Sequence, residues 1–356
     1  MRLIAARHAP RALIVLAVLL MLGAASLVAA LVALGSDDDA TASATASATA
    51  TPLATARAAS GPPYPPQLTV KTEFRFKTSL VSRNLTGTPQ LVFFGGSRSQ
   101  RFDPEFARQR LGLRAVNMSH SNARPEAAWA YAHWLYRRWP KAKVRWVWGM
   151  QPTMIRERDM DAALLQDPRF FHSFPADLLA SQRRLLPDTV AEMPRSYGFM
   201  RNTYSSLGML VWGTYDRQRA AGYTLDQSLD DYIAKMLREP SRETTEPGPG
   251  MRARVYFEKT LRYLNAHGTT PVVVLLPVHP RVLRVMAEND LEGSRERLKE
   301  YLAGLSETFD LVVVDFTSIK SFNGESAWFY DGVHTTRRNA NRMITALKAQ
   351  AGEHLR

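Results

Sequence analysis

Five short apolar runs constrain the fold of this chain more than anything else in it. They lie at residues 91–94, 113–118, 144–148, 271–276 and 311–315, and each reads as a strand. Runs that are apolar on both faces belong to a sheet covered on both sides. Helical patterns fall between them. Residues 103–111 are opened by Pro104, and residues 125–139 by Pro125 and Glu126, with Ala128, Tyr131 and Leu135 on one face. Leu298, Tyr301, Leu302 and Leu305 keep the i, i+3, i+4, i+7 spacing, and Met343, Ile344 and Leu347 mark a last helix. Strands alternating with helices predict an α/β chain: a three-layer α/β/α sandwich around a five-stranded parallel sheet.

Three regions stand outside that pattern. Residues 12–35 form an uninterrupted stretch of 24 apolar or small residues, flanked by Arg2, Arg7 and Arg11 before and Asp37, Asp38 and Asp39 after. That length exceeds the roughly 20 residues a bilayer span needs. The charge asymmetry places residues 1–35 as a signal anchor with the N-terminus cytoplasmic and the rest outside, a cleaved signal peptide being the alternative. Residues 36–67 are Ala/Thr/Ser-rich and then Pro-rich, which predicts a disordered stalk ahead of a domain at 68–356. Residues 152–250 carry helical patterns, many aromatics and no convincing strand, and end in Gly248-Pro249-Gly250. An insertion after the third strand lies over the carboxyl edge of the sheet, as a lid would.

The net charge of +13 favours anionic partners, but it is spread along the chain and no nucleic-acid motif accompanies it. With no cysteine, thiolate nucleophiles, thiolate zinc sites and disulfides are excluded. His120 and His133 lack partners at metal-ligand spacing, so no metal or other cofactor is expected.

Two blocks carry the chemistry. Gly95-Gly96-Ser97 ends the first strand, where open parallel sheets place ligands, and puts a serine at the start of a turn. Asp331-Gly332-Val333-His334 precedes the last helix. Its carboxylate can hold one imidazole nitrogen while the other faces outward to take a proton. A G-x-S-x-G elbow is disfavoured because position 99 is serine.

These blocks resemble those of the SGNH (GDSL-like) hydrolase superfamily, whose sheet is flavodoxin-like, and the Gly-Gly-Ser-Arg form looks like its membrane-anchored, cell-envelope branch. The resemblance covers the strand ends and not the insertion. It implies Ser97 as nucleophile, His334 as general base and Asp331 as the acid that orients it. The oxyanion hole would be formed by Ser97, Asn122 and Gln151. Here the chain departs from the family pattern, with Asn122 where a glycine is usual and Gln151 where an asparagine is usual. Asparagine tolerates left-handed backbone angles, and a glutamine amide donates the same bond from a longer arm. Arg98, Asn117 and His279 are candidate substrate contacts; His279 borders the expected cleft, with a rigid Pro-flanked loop as its alternative, and capping of the following helix region is the alternative for Arg98. The implied activity is a serine esterase or O-acyltransferase, of O-acetyl type, acting on an acylated carbohydrate or cell-envelope polymer. A membrane-bound acyltransferase partner is possible, and nucleic acid is not an expected partner. The rival reading is a catalytically silent envelope protein that uses the fold to bind glycans or such a partner.

Overall fold

The computed structural model describes residues 73–156, 162–165, 167–174, 198–199, 202–239 and 251–355. The expected anchor and stalk lie outside these residues, as do parts of the insertion. Among the described residues, no helix is long and apolar enough to cross a membrane.

The strands β1 (Leu91–Gly95), β2 (Ala115–Asn117), β3 (Arg145–Met150), β7 (Val272–Leu275) and β8 (Val312–Asp315) form one parallel sheet in the order β2-β1-β3-β7-β8. Period-two alternation divides each run between two cores. Val92, Phe94, Trp146, Trp148 and Val273 pack under helices α1 (Glu73–Asn84), α3 (Pro125–Arg138), α6 (Met251–Ala266) and α8 (Gly293–Ser306). Leu91, Phe93, Val147, Val274 and Val314 pack under α2 (Pro104–Leu111) and α9 (Arg337–Ala351). The three-layer sandwich is therefore present. Chain order reverses direction across β1 and β3, which makes the crevice beyond their carboxyl ends the topological switch point.

Several expectations need correction. The second strand is shorter than 113–118, and β3 continues through Gly149 to Met150. As an edge strand, β8 leaves Val313 36% exposed and Val312 half-buried, and Val314 is its one fully buried residue. The insertion contains strand after all: β4 (Gly198–Phe199), β5 (Asn202–Tyr204) and β6 (Leu210–Trp212) form a small antiparallel sheet. Two- and three-residue strands are too short to show a period. The insertion also holds α4 (Thr214–Ala220) and α5 (Leu225–Arg238), while α7 (Pro280–Glu288) follows β7.

Helix α1 shows no apolar stripe because residues 73–81 are buried on every side, the charged Glu73, Arg75 and Lys77 among Phe74, Phe76, Leu80 and Val81. Glu73 accepts bonds from the Tyr204 hydroxyl (2.8 Å), the Ser121 N–H (2.9 Å) and the Gln100 amide. Arg75 pairs with Asp167 at 2.7 Å, and Lys77 donates to the Ser119 carbonyl. Buried charges are tolerated when they are paired and hydrogen-bonded in this way.

Candidate active site

Ser97 is set by how tightly its turn packs on the sheet. At Gly95 φ is +153°, a conformation open to glycine, and the chain drops into a 3-10 turn over Ser97–Ser99. Ser99 packs against the next strand so closely that a Cβ on Gly149 would sit 2.7 Å from the Ser99 hydroxyl. Asn117 ties down the far side. Its amide donates to the carbonyls of Ser99 (3.0 Å), Gln100 (3.2 Å) and Phe102 (2.8 Å), and its Oδ1 accepts from the Ser119 N–H. Asn117 is thus fully buried and committed to backbone. The expectation that it contacts substrate is corrected: it braces the serine turn.

The loop before α9 delivers the other two groups. It is closed by bonds from the Tyr330 N–H to the His334 carbonyl (2.8 Å) and from the His279 N–H to the Gly332 carbonyl (2.9 Å). Ser97 Oγ lies 2.9 Å from His334 Nε2, and His334 Nδ1 lies 2.8 Å from Asp331 Oδ2. Asp331 Oδ1 accepts the N–H groups of Val333 (2.8 Å) and His334 (2.7 Å). Burial by itself pushes the Asp331 carboxyl up. The His334 charge and hydrogen bond, with the two backbone N–H groups, outweigh it and hold the carboxyl well below the usual range. An ionised Asp331 holding the Nδ1 proton leaves the Nε2 lone pair aimed at Ser97.

A cavity of about 380 Å³ opens over Ser97 and is also lined by Arg98, Asn122, Gln151 and His334. Asn122 has φ of +55°, in the left-handed region that asparagine tolerates. The Gln151 Nε2 donates to the Thr153 hydroxyl at 2.9 Å, and its Oε1 is buried without a partner. An amide NH₂ carries two hydrogens, so the bond to Thr153 leaves one Gln151 donor over. Arg98, next to the serine, lines the same cavity. His279 does not line it. Its ring accepts the Arg281 N–H at 3.1 Å as the N-cap of α7 and meets Phe329 edge-on, so the expected substrate contact is corrected to a structural cap. Burial, then the Arg281 charge, lowers the His279 pKa.

The insertion brings groups that the motifs do not announce. Tyr215 lies against the His334 ring with centroids 4.6 Å apart, and against Tyr330 at 5.8 Å. Tyr330 donates to Asp216 at 2.6 Å, and Arg101 pairs with the same carboxylate. Tyr232 lines the Ser97 cavity and also a second one of about 410 Å³ on the other side of His334, with Tyr215 and Tyr223. In sequence, Tyr215 is one aromatic among many in the insertion. Arg124 and Arg156, which also line the Ser97 cavity, stand a few residues beyond the two expected oxyanion blocks. That recurrence was the available signal. Among the described residues, no group of three or more His, Asp or Glu side chains is placed to hold a metal ion.

Compared with known proteins, the chain matches no family model, and no curated protein matches it significantly.

Proposed function

We propose that the protein is a membrane-anchored, extracytoplasmic serine esterase or O-acyltransferase of SGNH type, acting on an acylated cell-envelope carbohydrate. The observation that carries the reading is the unbroken chain from Ser97 through His334 to Asp331, at the switch point of a parallel sheet. Neutral serine is a weak nucleophile, so His334 takes its proton as Oγ attacks the ester carbonyl. Asp331 keeps the imidazole in the right tautomer and stabilises the imidazolium. The tetrahedral oxyanion is bound by the Ser97 and Asn122 N–H groups and by the Gln151 N–H that Thr153 does not take. Each such donor is worth roughly 100-fold or more in rate. His334 then protonates the leaving alcohol, and the acyl group stays on Ser97 until water or a sugar hydroxyl takes it. Insertion residues beside His334 fit a site that limits water and favours the sugar acceptor.

The rival, a silent glycan-binding protein, draws on one observation: Thr153 takes one of the two Gln151 N–H donors. One experiment separates the two. The full-length chain in mild detergent is given 4-nitrophenyl acetate, quenched in acid and peptide-mapped. The enzyme reading expects an acetyl group on the Ser97 peptide, absent from Ser97→Ala, and turnover reduced about 1,000-fold or more in His334→Ala. Turnover unchanged in Ser97→Ala, or an unmodified Ser97, favours the rival.

A further inference from the structure

Ser97 and His334 stand 237 residues apart in the chain, yet proton transfer needs Oγ and Nε2 held at 2.9 Å. Misplacing reacting groups by about 1 Å costs roughly 100-fold in rate. Each block is braced from within, the serine turn by Asn117 and the Asp331–His334 loop by its own backbone bonds. A tie from one block to the other runs through the insertion, at Asp216 of α4.

The Asp216 carboxylate is shared three ways. Its Oδ2 pairs with Arg101, two residues past the serine turn, and accepts the Gly213 N–H at 2.7 Å. Its Oδ1 accepts the hydroxyl of Tyr330, the residue before Asp331, at 2.6 Å. Burial pushes the Tyr330 pKa up to about 12, so the hydroxyl keeps its proton and donates. The Arg101 guanidinium lies 5.1 Å from the centre of the Tyr330 ring and also donates to the carbonyls of Leu210 (2.9 Å) and Val211 (2.7 Å). Arg219, one turn along α4, donates to the carbonyls of Phe329 (3.3 Å) and Tyr330 (3.2 Å). The Arg101 and Asp216 side chains are 8% and 10% exposed, so salt screens this pair little, and removing either partner leaves a buried charge behind. A second bridge between the blocks, Arg337 to Asp103, has its arginine 58% exposed, where water leaves an ion pair worth little.

We infer that Asp216 is a positioning residue for the Ser97–His334 pair: through Arg101 it holds the end of the serine turn, through Tyr330 it holds the start of the Asp331–His334 loop, and it thereby sets the separation of Oγ and Nε2. This rests on the reading of Ser97 as nucleophile. The insertion then assembles the site as well as covering it.

The test follows acylation of Ser97 by 4-nitrophenyl acetate in the full-length chain in mild detergent, in the pre-steady state and well below the unfolding midpoint of each variant. Asp216→Asn should lower the acylation rate constant by roughly 100-fold, and Tyr330→Phe, which removes one hydroxyl and leaves no charge unpaired, by roughly tenfold. The dissociation constant of so small an ester should stay within about threefold of the native one. Because both substitutions cut one tie, the double variant should be little slower than Asp216→Asn alone. A residue that only stabilises the fold would leave the acylation rate of the folded chain alone. If Asp216→Asn does not fold, Tyr330→Phe decides the matter.

Hydrogen exchange of the peptide spanning residues 328–336 reads the tie without turnover. It should quicken in Tyr330→Phe while the strands of the main sheet keep their protection. Faster exchange in a protein whose native Ser97 is never acylated would sink the enzyme reading and leave the tie standing. Where the native chain does acylate, unchanged acylation in both variants, or a change confined to ester affinity, overturns the inference. Where it does not, unchanged exchange overturns it.

Discussion

Asp331 shows how one residue serves both stability and chemistry. Its carboxyl is buried, yet held below its ordinary range by His334 and two N–H groups. A depressed folded-state pKa means that the stabilisation is fully present above the unfolded value, near 4, and is lost as pH falls toward the folded one. Urea midpoints measured from about pH 6 to about pH 3 should therefore fall more steeply for the native chain than for Asp331→Asn. The same substitution removes the acceptor that fixes the His334 tautomer, and esterase kcat should drop by roughly 1,000- to 10,000-fold. Tyr215 acts more gently. Its ring covers one face of His334, and aromatic contacts of this kind contribute about 0.5–1.5 kcal/mol. Tyr215→Ala should lower kcat by roughly 2- to 10-fold, and Tyr215→Phe, which keeps the ring but removes the hydroxyl bonded to Asp331, should fall between that and the native rate.

At the level of elements, the serine turn depends on two strands meeting without side chains at Gly95 and Gly149. Gly149→Ala forces a Cβ against Ser99, which Asn117 prevents from yielding. Overpacking of this kind costs about 1–3 kcal/mol, and chemical denaturation should read it alongside a loss of esterase activity. Helix α1 makes a different prediction. Burial lowers the Lys77 ammonium pKa to about 7, against a raising influence from Glu73. Because the unfolded chain binds that proton more readily, stability should rise as pH climbs from about 7 toward about 10.5, by at most ~1.4 kcal/mol per pH unit. Lys77→Met should flatten that rise in urea midpoints. Such contrasts explain what was legible in the sequence. The inner strands of the main sheet announce themselves because burial on both faces demands continuous apolar residues, and the edge strand β8 is apolar at Val312, Val313 and Val314 although only Val314 is fully buried. Helix α1 does not, because it is buried on every side and mixes Phe74, Phe76, Leu80 and Val81 with Glu73, Arg75 and Lys77, whose partners lie far along the chain. The strands β4 to β6 are too brief for a pattern. Asn117 was visible as a polar residue at a strand end, but only the structure shows its amide spent on three carbonyls.

Across the molecule, the site is a product of convergence. Ser97, Asn122 and Gln151 come from successive connections at one sheet edge, His334 and Asp331 from the last loop, and Tyr215 and Tyr232 from the insertion. The serine and the Asp-His pair could be read from sequence because each is a local block, tied to the sheet edge by strand order. Arg124, Arg156 and the two tyrosines could not be assigned roles, since meeting at one cavity is a property of the folded chain. The central claim is that Ser97 is a nucleophile activated by His334. Covalent labelling of the full-length chain with a fluorophosphonate probe tests it most directly. The account predicts labelling of Ser97 that disappears in Ser97→Ala and His334→Ala and slows sharply in Asp331→Asn. Labelling that persists in Ser97→Ala, or none in a chain whose circular dichroism shows it folded, would contradict it.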